Sequence, residues 1–383
     1  MSLIVDEHRE YLSDGYRLDA YRRAIEESVH PGSVVVDLGA GSGIMALLAC
    51  RAGAKRVYAL EETSLIGLTR EICRANGFGD RVTLIKELST QATIPEAADV
   101  VVADQMGPFG FEGGAFEYLC DAHRRFLKPG GALLPSRIDL FVAPVQCDEM
   151  WRQVDFWNGA PGGFDFRPAR KLATNTGYPI KFQLRHLLGA PAMIASVSTA
   201  AGPRSISGVE ASMAVDRAGT VHGVGAWFSA QLSPGVAMSN GPEDPRSILR
   251  RNLFFPIDQP VAVGPGDSVR VTMTIHPKES MAAWTVAVHA APVEEHRTPR
   301  ARFKHSTFHG VPLCREDLDR MAPQSRPTLK PRGEARRQTL ELCDGRRTLA
   351  EIEHEVHRRW PEIFPSLDDA ASFVAGILKR DGR

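Results

Sequence analysis

Residues 34–43, "VVVDLGAGSG", constrain the fold more than any other stretch of the chain. Three consecutive valines have the texture of a strand buried on both faces, as in a parallel sheet. Asp37 and glycines at alternate positions then mark a tight turn opening onto a helix. Gly39, Gly41 and Gly43 let a ligand approach the backbone N–H groups at the helix start. That is a nucleotide-binding geometry, and the turn alone does not name the nucleotide.

The flanking pattern extends this reading. Between about residues 33 and 139, apolar runs such as "RVYALE", "VTLIKE" and "ADVVVAD" alternate with helical stretches such as "IMALLACRAGA" and "IGLTREICRANG". Strand and helix in alternation predict a Rossmann-like parallel sheet with helices on both faces. From about 140 to 293 the texture changes to short alternating runs, "GVGAWFSAQL", "DSVRVTMTIH" and "WTVAVHAAP", bounded by Gly, Pro and Asp. These predict antiparallel strands in a barrel or sandwich. Beyond about 294 a Pro- and Arg-rich segment leads into helical patterns. The expected domains are therefore 1–139, 140–293 and 294–383.

The ligand can be narrowed from the end of the second strand. Glu61 follows the last glycine by about 18 residues, where a carboxylate can accept hydrogen bonds from both hydroxyls of a ribose. Glu62 lies beside it, and adjacent residues of a strand face opposite ways. An adenosyl ligand without phosphates fits this pattern, S-adenosylmethionine being one. With "KPGGALLP" after the fourth helical pattern, a class I methyltransferase is expected rather than a dinucleotide oxidoreductase.

Four further stretches are more specific. "HREYLSDGYRLDAYRRAI" precedes the turn, "RAGAKRVYALE" follows it, "ADQMGPFGFE" lies at the fourth strand and "GAWFSAQL" comes later. Together they resemble the protein arginine methyltransferase family over roughly residues 8–290. The resemblance implies a Rossmann-like domain, a β-barrel, and a helical dimerisation arm near 147–190 that contains "WNGAPGGFDF", hence a homodimer. It also implies S-adenosylmethionine as cofactor and a protein or peptide as substrate.

The resemblance gives roles to particular residues. Arg17 falls where the family's arginine pairs with the carboxylate of the methionine moiety, by charge-assisted hydrogen bonds. Asp37, Gly39, Gly41 and Gly43 form the turn and Glu61 holds the ribose. His8 and Tyr11 lie one turn apart on the lid helix, where they can cover the cofactor. The family carries two glutamates on the loop after the fourth strand, which hold the acceptor guanidinium. Here the first position is Asp104, one methylene shorter, and the second is Gly113, with Glu112 one residue early. Asp104, Met106 and Glu112 are the expected catalytic residues.

The family's Thr-His-Trp loop is also replaced. The matching stretch is "SILRRNLFFPI", with Ser247, Ile248 and Leu249 at those positions, so the bracing histidine is absent. Methyl transfer is an in-line displacement in which positioning, desolvation and removal of one proton do most of the work. Acceptor identity therefore depends on this altered loop. Arginine, another side-chain nitrogen, a carboxylate oxygen and a chain terminus all stay open, and His305 and His309 are spare bases.

At the end of the chain, "TLELCDGRRTLAEIEHEVHRRW" and "DDAASFVAGILKR" place Leu340, Leu342, Leu349, Ile352 and Val356 on an apolar stripe. They resemble the small winged-helix domain of the PqqD type, which holds the leader of a precursor peptide along a strand edge. That implies a precursor of a ribosomally made natural product as substrate. Residues 297–347 carry 13 Lys plus Arg against 6 Asp plus Glu, which suits an acidic leader.

Charge and cysteine usage limit the remaining classes. With 46 basic and 46 acidic residues the chain has no global attraction for nucleic acid or an anionic membrane. No window approaches the ~20 apolar residues of a membrane span, and no secretory pattern opens the sequence, so a cytoplasmic enzyme is expected. The six cysteines lie far apart without zinc spacing, which predicts reduced, mostly buried thiols and no metal. A small-molecule methyltransferase of a biosynthetic pathway is the alternative, and a non-catalytic scaffold a remoter one.

Overall fold

The valine run forms β1 (Val34–Leu38), buried along its whole length in the middle of a five-stranded parallel sheet. The computed structural model describes residues 4–203, 205–292 and 298–382. They divide between Pro312 and Leu313 into two compact units.

Two helices, α1 (Ile4–Ser13) and α2 (Gly15–Ser28), precede β1. Asp14 caps α2 by accepting from the Arg17 N–H at 3.2 Å, which satisfies a donor that the helix itself leaves unpaired. The chain then alternates as expected: α3 (Ile44–Arg51), β2 (Arg56–Leu60), α4 (Ile66–Ala75), β3 (Val82–Ile85), β4 (Ala98–Ala103), α5 (Ala115–Arg125) and β5 (Leu127–Leu134). The strand order is β3-β2-β1-β4-β5 with every pair parallel.

The antiparallel part begins with β6 (Arg137–Val145), and the next segment holds two short helices, α6 (Asp148–Asp155) and α7 (Arg167–Ala173). There follow β7 (Tyr178–Ile180), β8 (Ala192–Ser198), β9 (Ile206–Ala214), β10 (Gly219–Ser233), β11 (Val236–Ser239), β12 (Asn252–Val263), β13 (Ser268–His276) and β14 (Met281–His289). One sheet runs β7-β12-β10-β6-β8 with β11 on β10; the other includes β13, β14 and β9. Their inner faces share one core, where the Phe255 and Trp284 rings lie 4.9 Å apart.

The expected barrel is corrected to two packed antiparallel sheets. Among the described residues no ladder joins β8 to β9. The chain passes between them through Gly202 and Pro203, and proline has no N–H to give a ladder.

The expected boundary between residues 293 and 294 lies outside the described residues. On its far side β15 (Ala301–Ser306) pairs antiparallel with β14 and completes the second sheet. The first unit therefore runs well past the predicted end of the strand-rich domain.

The second unit contains α8 (Arg315–Met321), α9 (Pro331–Leu342), α10 (Leu349–Arg359) and α11 (Leu367–Asp381). Thr348 with Glu351, and Ser366 with Asp369, form capping boxes that start α10 and α11. Leu342, Ile352 and Val356 are buried in its core, whereas Leu340 and Leu349 are exposed near the ends of their helices. The unit holds no strand among the described residues. The winged-helix expectation is corrected on this point, because the wing and its strand edge are missing.

Four cysteines are buried, and Cys314 and Cys343 are exposed. No described helix is long and apolar enough to cross a membrane.

Candidate functional site

In this sheet order the connections leave β1 and β4 in opposite directions. A crevice results beyond the C-terminal ends of those two strands, where doubly wound sheets bind ligands. Two cavities of about 310 Å³ each open there, sharing Gly39, Gln105 and Gly113 as walls.

The glycine turn follows β1. Gly39, Gly41 and Gly43 take φ values of 63°, 53° and 83°, the left-handed region that other residues enter at a cost. A Cβ on Gly41 would meet the His8 ring at 2.5 Å, and one on Gly39 would collide with the Gln105 amide. The turn is thus closely roofed by both side chains. Asp37 accepts from the Ala46 N–H at 3.0 Å and ties the strand end to the first turn of α3. Burial, helped by the Glu61 charge, pushes its carboxyl up to about 7.

Glu61 braces the turn from the other side. Its two carboxylate oxygens accept from the Gly41 N–H at 3.1 Å and the Thr63 N–H at 2.9 Å. Glu62 lines the same cavity as Glu61, together with Glu87, Leu88, Ser89 and Tyr118. Both glutamates reach it because β2 ends at Leu60, so the strict alternation of a strand has already lapsed.

The second cavity is bounded by α1, α2 and the loop after β4. His8, Tyr11, Arg17, Asp104 and Met106 line it. Arg17 and Asp104 form a buried ion pair, with side chains 6% and 9% exposed. Arg17 also donates to the Tyr11 carbonyl at 2.8 Å, and burial lowers its guanidinium below the ordinary range. The Tyr21 hydroxyl donates to the Ala103 carbonyl at 2.8 Å and meets Asp104 Oδ1 at 3.2 Å.

Glu112 occupies a different position from Asp104. Its Oε2 accepts from the Phe109 N–H at 3.0 Å, while Oε1 is buried without a partner. Its side chain packs against Gly107, and Gly113, not Glu112, contributes to the cavity wall. Burial pushes the Glu112 carboxyl up to about 7.

A carboxyl whose folded pKa exceeds its unfolded value supports folding fully at low pH and loses that support as pH rises through the folded value. Glu112→Gln is neutral at every pH, so it should stabilise the protein more at about pH 8 than at about pH 5. Thermal melts at both pH values check this. An equal effect at the two would remove the buried-acid assignment.

Three residues at the site escaped sequence reasoning. Gln105 adjoins Asp104, Tyr21 lies on the inner face of α2, and Arg250 follows Leu249 in the loop before β12. The signal for Arg250 was a basic pair inside an otherwise apolar stretch. His305 is buried and stacked on Trp284, its Nε2 3.6 Å from Asp258; neither it nor His309 lines the two cavities.

Comparison with known proteins matches two families over consecutive stretches of this chain. Residues 22–138 match the ribosomal protein L11 methyltransferase family (PrmA), and residues 136–285 match the arginine methyltransferase oligomerization subdomain. The chain is similar to a probable protein arginine N-methyltransferase 6 of Arabidopsis thaliana, 35% identical over 45% of this chain but only 40% of that relative. It is 28% identical to protein arginine N-methyltransferase 6 of Xenopus laevis, over 71% of this chain and 84% of that one.

Two solved structures are similar in fold. Arabidopsis thaliana protein arginine methyltransferase 10 matches with a TM-score of 0.67 at 20% identity, over 78% of this chain and 97% of that one. A Trypanosoma brucei PRMT1 enzyme-prozyme heterotetrameric complex with AdoHcy matches with a TM-score of 0.68 at 18% identity, over the same shares. The parallel sheet, its glycine turn and the antiparallel sheets behind it thus have the fold of the protein arginine methyltransferases.

Proposed function

We propose that the chain is an S-adenosylmethionine-dependent methyltransferase that modifies a protein or peptide. The observation that carries this reading is the lining of the cavity beside the glycine turn. Glu61, Glu62 and Glu87 contribute carboxylates there, and no lysine or arginine lines it. Those carboxylates give an adenosine acceptors for its hydroxyls, while Arg17 and Arg250 line the neighbouring cavity together with Gly41 and Ser42 of the turn.

The residues present fit S-adenosylmethionine. Glu61 would accept from the ribose, Gly39 and Gly41 hold the backbone close, and Arg17, paired with Asp104, would turn its cation toward the amino-acid end. When bound, this cofactor supplies a methyl group on a sulfonium. The chain's own part is to hold, orient and exclude water. His8 and Tyr11 of α1 cover the cavity that Arg17, Asp104 and Met106 line. Asp104, and Glu112 packed against Gly107, are the proposed acceptor-side acids, with Met106 as a buried wall.

A homodimer formed through the helical segment at 147–190 belongs to the same reading. Phe156, Phe164 and Phe166 are exposed on that segment and support it. A precursor peptide of a ribosomally made natural product is the narrower form of the substrate proposal. Its support is a separately packed helical unit joined to a first unit that carries the whole proposed site.

The test is calorimetric titration with S-adenosylmethionine and with NAD, followed by transfer of a labelled methyl group to a peptide library. Binding of the first ligand alone and label on peptides are expected. Binding of NAD would overturn the cofactor assignment, and label only on small metabolites would overturn the peptide assignment.

A further inference from the structure

A polar network holds the loop that carries Arg250. The Leu249 N–H donates to Asp14 Oδ2 at 2.7 Å, fastening the loop before β12 to the start of α2. Lys181 Nζ shares its three N–H donors among four oxygens, the Asn240 carbonyl at 3.0 Å, Ser247 Oγ at 2.8 Å, the Ile248 carbonyl at 2.5 Å and the Arg250 carbonyl at 3.3 Å. Asn240 Nδ2 bridges the Pro108 and Arg251 carbonyls at 2.8 Å each. The backbone from Leu249 to Arg251 is therefore tied to Asp14, Lys181 and Asn240.

Its side chain, 16% exposed, lines the cavity. The guanidinium lies 5.6 Å from the centre of the Tyr11 ring, and Nη2 forms a loose ion pair with Asp104 Oδ1 at 3.7 Å, beyond hydrogen-bond distance. Among the described residues the structure shows no hydrogen bond donated by this guanidinium. Asp104 is already engaged by Arg17 and Tyr21. An arginine acceptor would thus approach a carboxylate that has its cation, against a second cation fixed beside it. A carboxylate acceptor meets the opposite situation, a planar fork of donors facing the cavity.

We propose that the acceptor is a carboxylate, either an acidic side chain or a chain terminus, seated on Arg250 and converted to a methyl ester. The inference rests on the methyltransferase reading above. A lone pair of the acceptor oxygen forms the new bond to the methyl carbon while the methyl–sulfur bond breaks and leaves its electron pair on sulfur. The products are an ester and a neutral thioether. No proton has to leave, so the missing bracing histidine removes nothing that this reaction needs.

The experiment uses the full chain. Calorimetry first measures S-adenosylhomocysteine binding; its absence would overturn the methyltransferase reading and this inference with it. The bound enzyme is then titrated with acetyl-Gly-Glu-Gly-amide, its Gln and Arg counterparts, and acetyl-triglycine with a free C-terminus. At least tenfold tighter binding of one carboxylate peptide over the Gln peptide is expected, and which one binds separates side chain from terminus.

Measured in protein saturated with S-adenosylhomocysteine, Arg250→Ala should abolish that preference, and Arg250→Lys should retain only part of it. Label from the methyl-tritiated cofactor should be released by alkali as volatile methanol. Alkali-stable label on the Arg peptide, or an unchanged preference in a folded Arg250→Ala protein, would overturn the carboxylate assignment and leave the methyltransferase reading standing.

Discussion

Asp104→Ala should lower the stability of the first unit by about 3–5 kcal/mol, because it strands the Arg17 charge in a buried site. The pair is nearly inaccessible, and once Asp104 is gone Arg17 keeps the Tyr11 carbonyl and the Tyr11 and Tyr21 rings but no carboxylate bonded to it. Replacing both partners with apolar residues, Arg17→Met with Asp104→Leu, should recover most of that loss, since no unpaired charge then remains. Chemical denaturation of Arg17→Met, Asp104→Leu and the double variant forms the cycle that checks it. Losses that simply add would mean that the two charges do not depend on each other. Stability is the property to read here, since all three variants also alter the proposed acceptor side.

Glu61→Ala should weaken S-adenosylhomocysteine binding about 100-fold, the order expected when a charged acceptor loses hydroxyl donors worth about 3 kcal/mol together. Two effects combine. On the proposed reading the carboxylate receives the ribose, and it also anchors the Gly41 N–H, so the turn loses its brace. Glu61→Gln retains one acceptor oxygen without the charge and should fall between the two. Calorimetry gives all three affinities, and an unchanged constant in the Ala variant would remove Glu61 from the cofactor site.

Much of the first unit was readable in its sequence because burial on both faces of a parallel strand leaves an unbroken apolar run. The valines at 34–36 and 100–102 are such runs, and both became central strands. The glycine turn was readable because three positive-φ positions in five residues leave few residue choices. Polar pairings between distant positions leave no such trace. Nothing periodic ties Arg17 to Asp104, or Lys181 to the loop that holds Arg250, since one bond to a carbonyl makes no demand on neighbouring residues.

The same limit explains the other differences. Glu61 and Glu62 were separated by the two-residue alternation of a strand that had already ended. Apolar stripes in the last helices identified Leu342, Ile352 and Val356 as core, but could not say that no strand accompanies them. A barrel and a pair of packed sheets present the same alternating pattern along each strand, and the difference lies in which edges hydrogen-bond.

The pairing of β15 with β14 sets where the chain can be shortened. A cut at the end of β14 would strip off the Ala301–Ser306 ribbon and bare six consecutive ladder positions, Ala283 to Val288. An uncovered edge of that length invites another molecule to add a strand of its own. Truncated forms ending near residue 290 should therefore precipitate or assemble in register, while forms ending after Pro312 keep the edge covered.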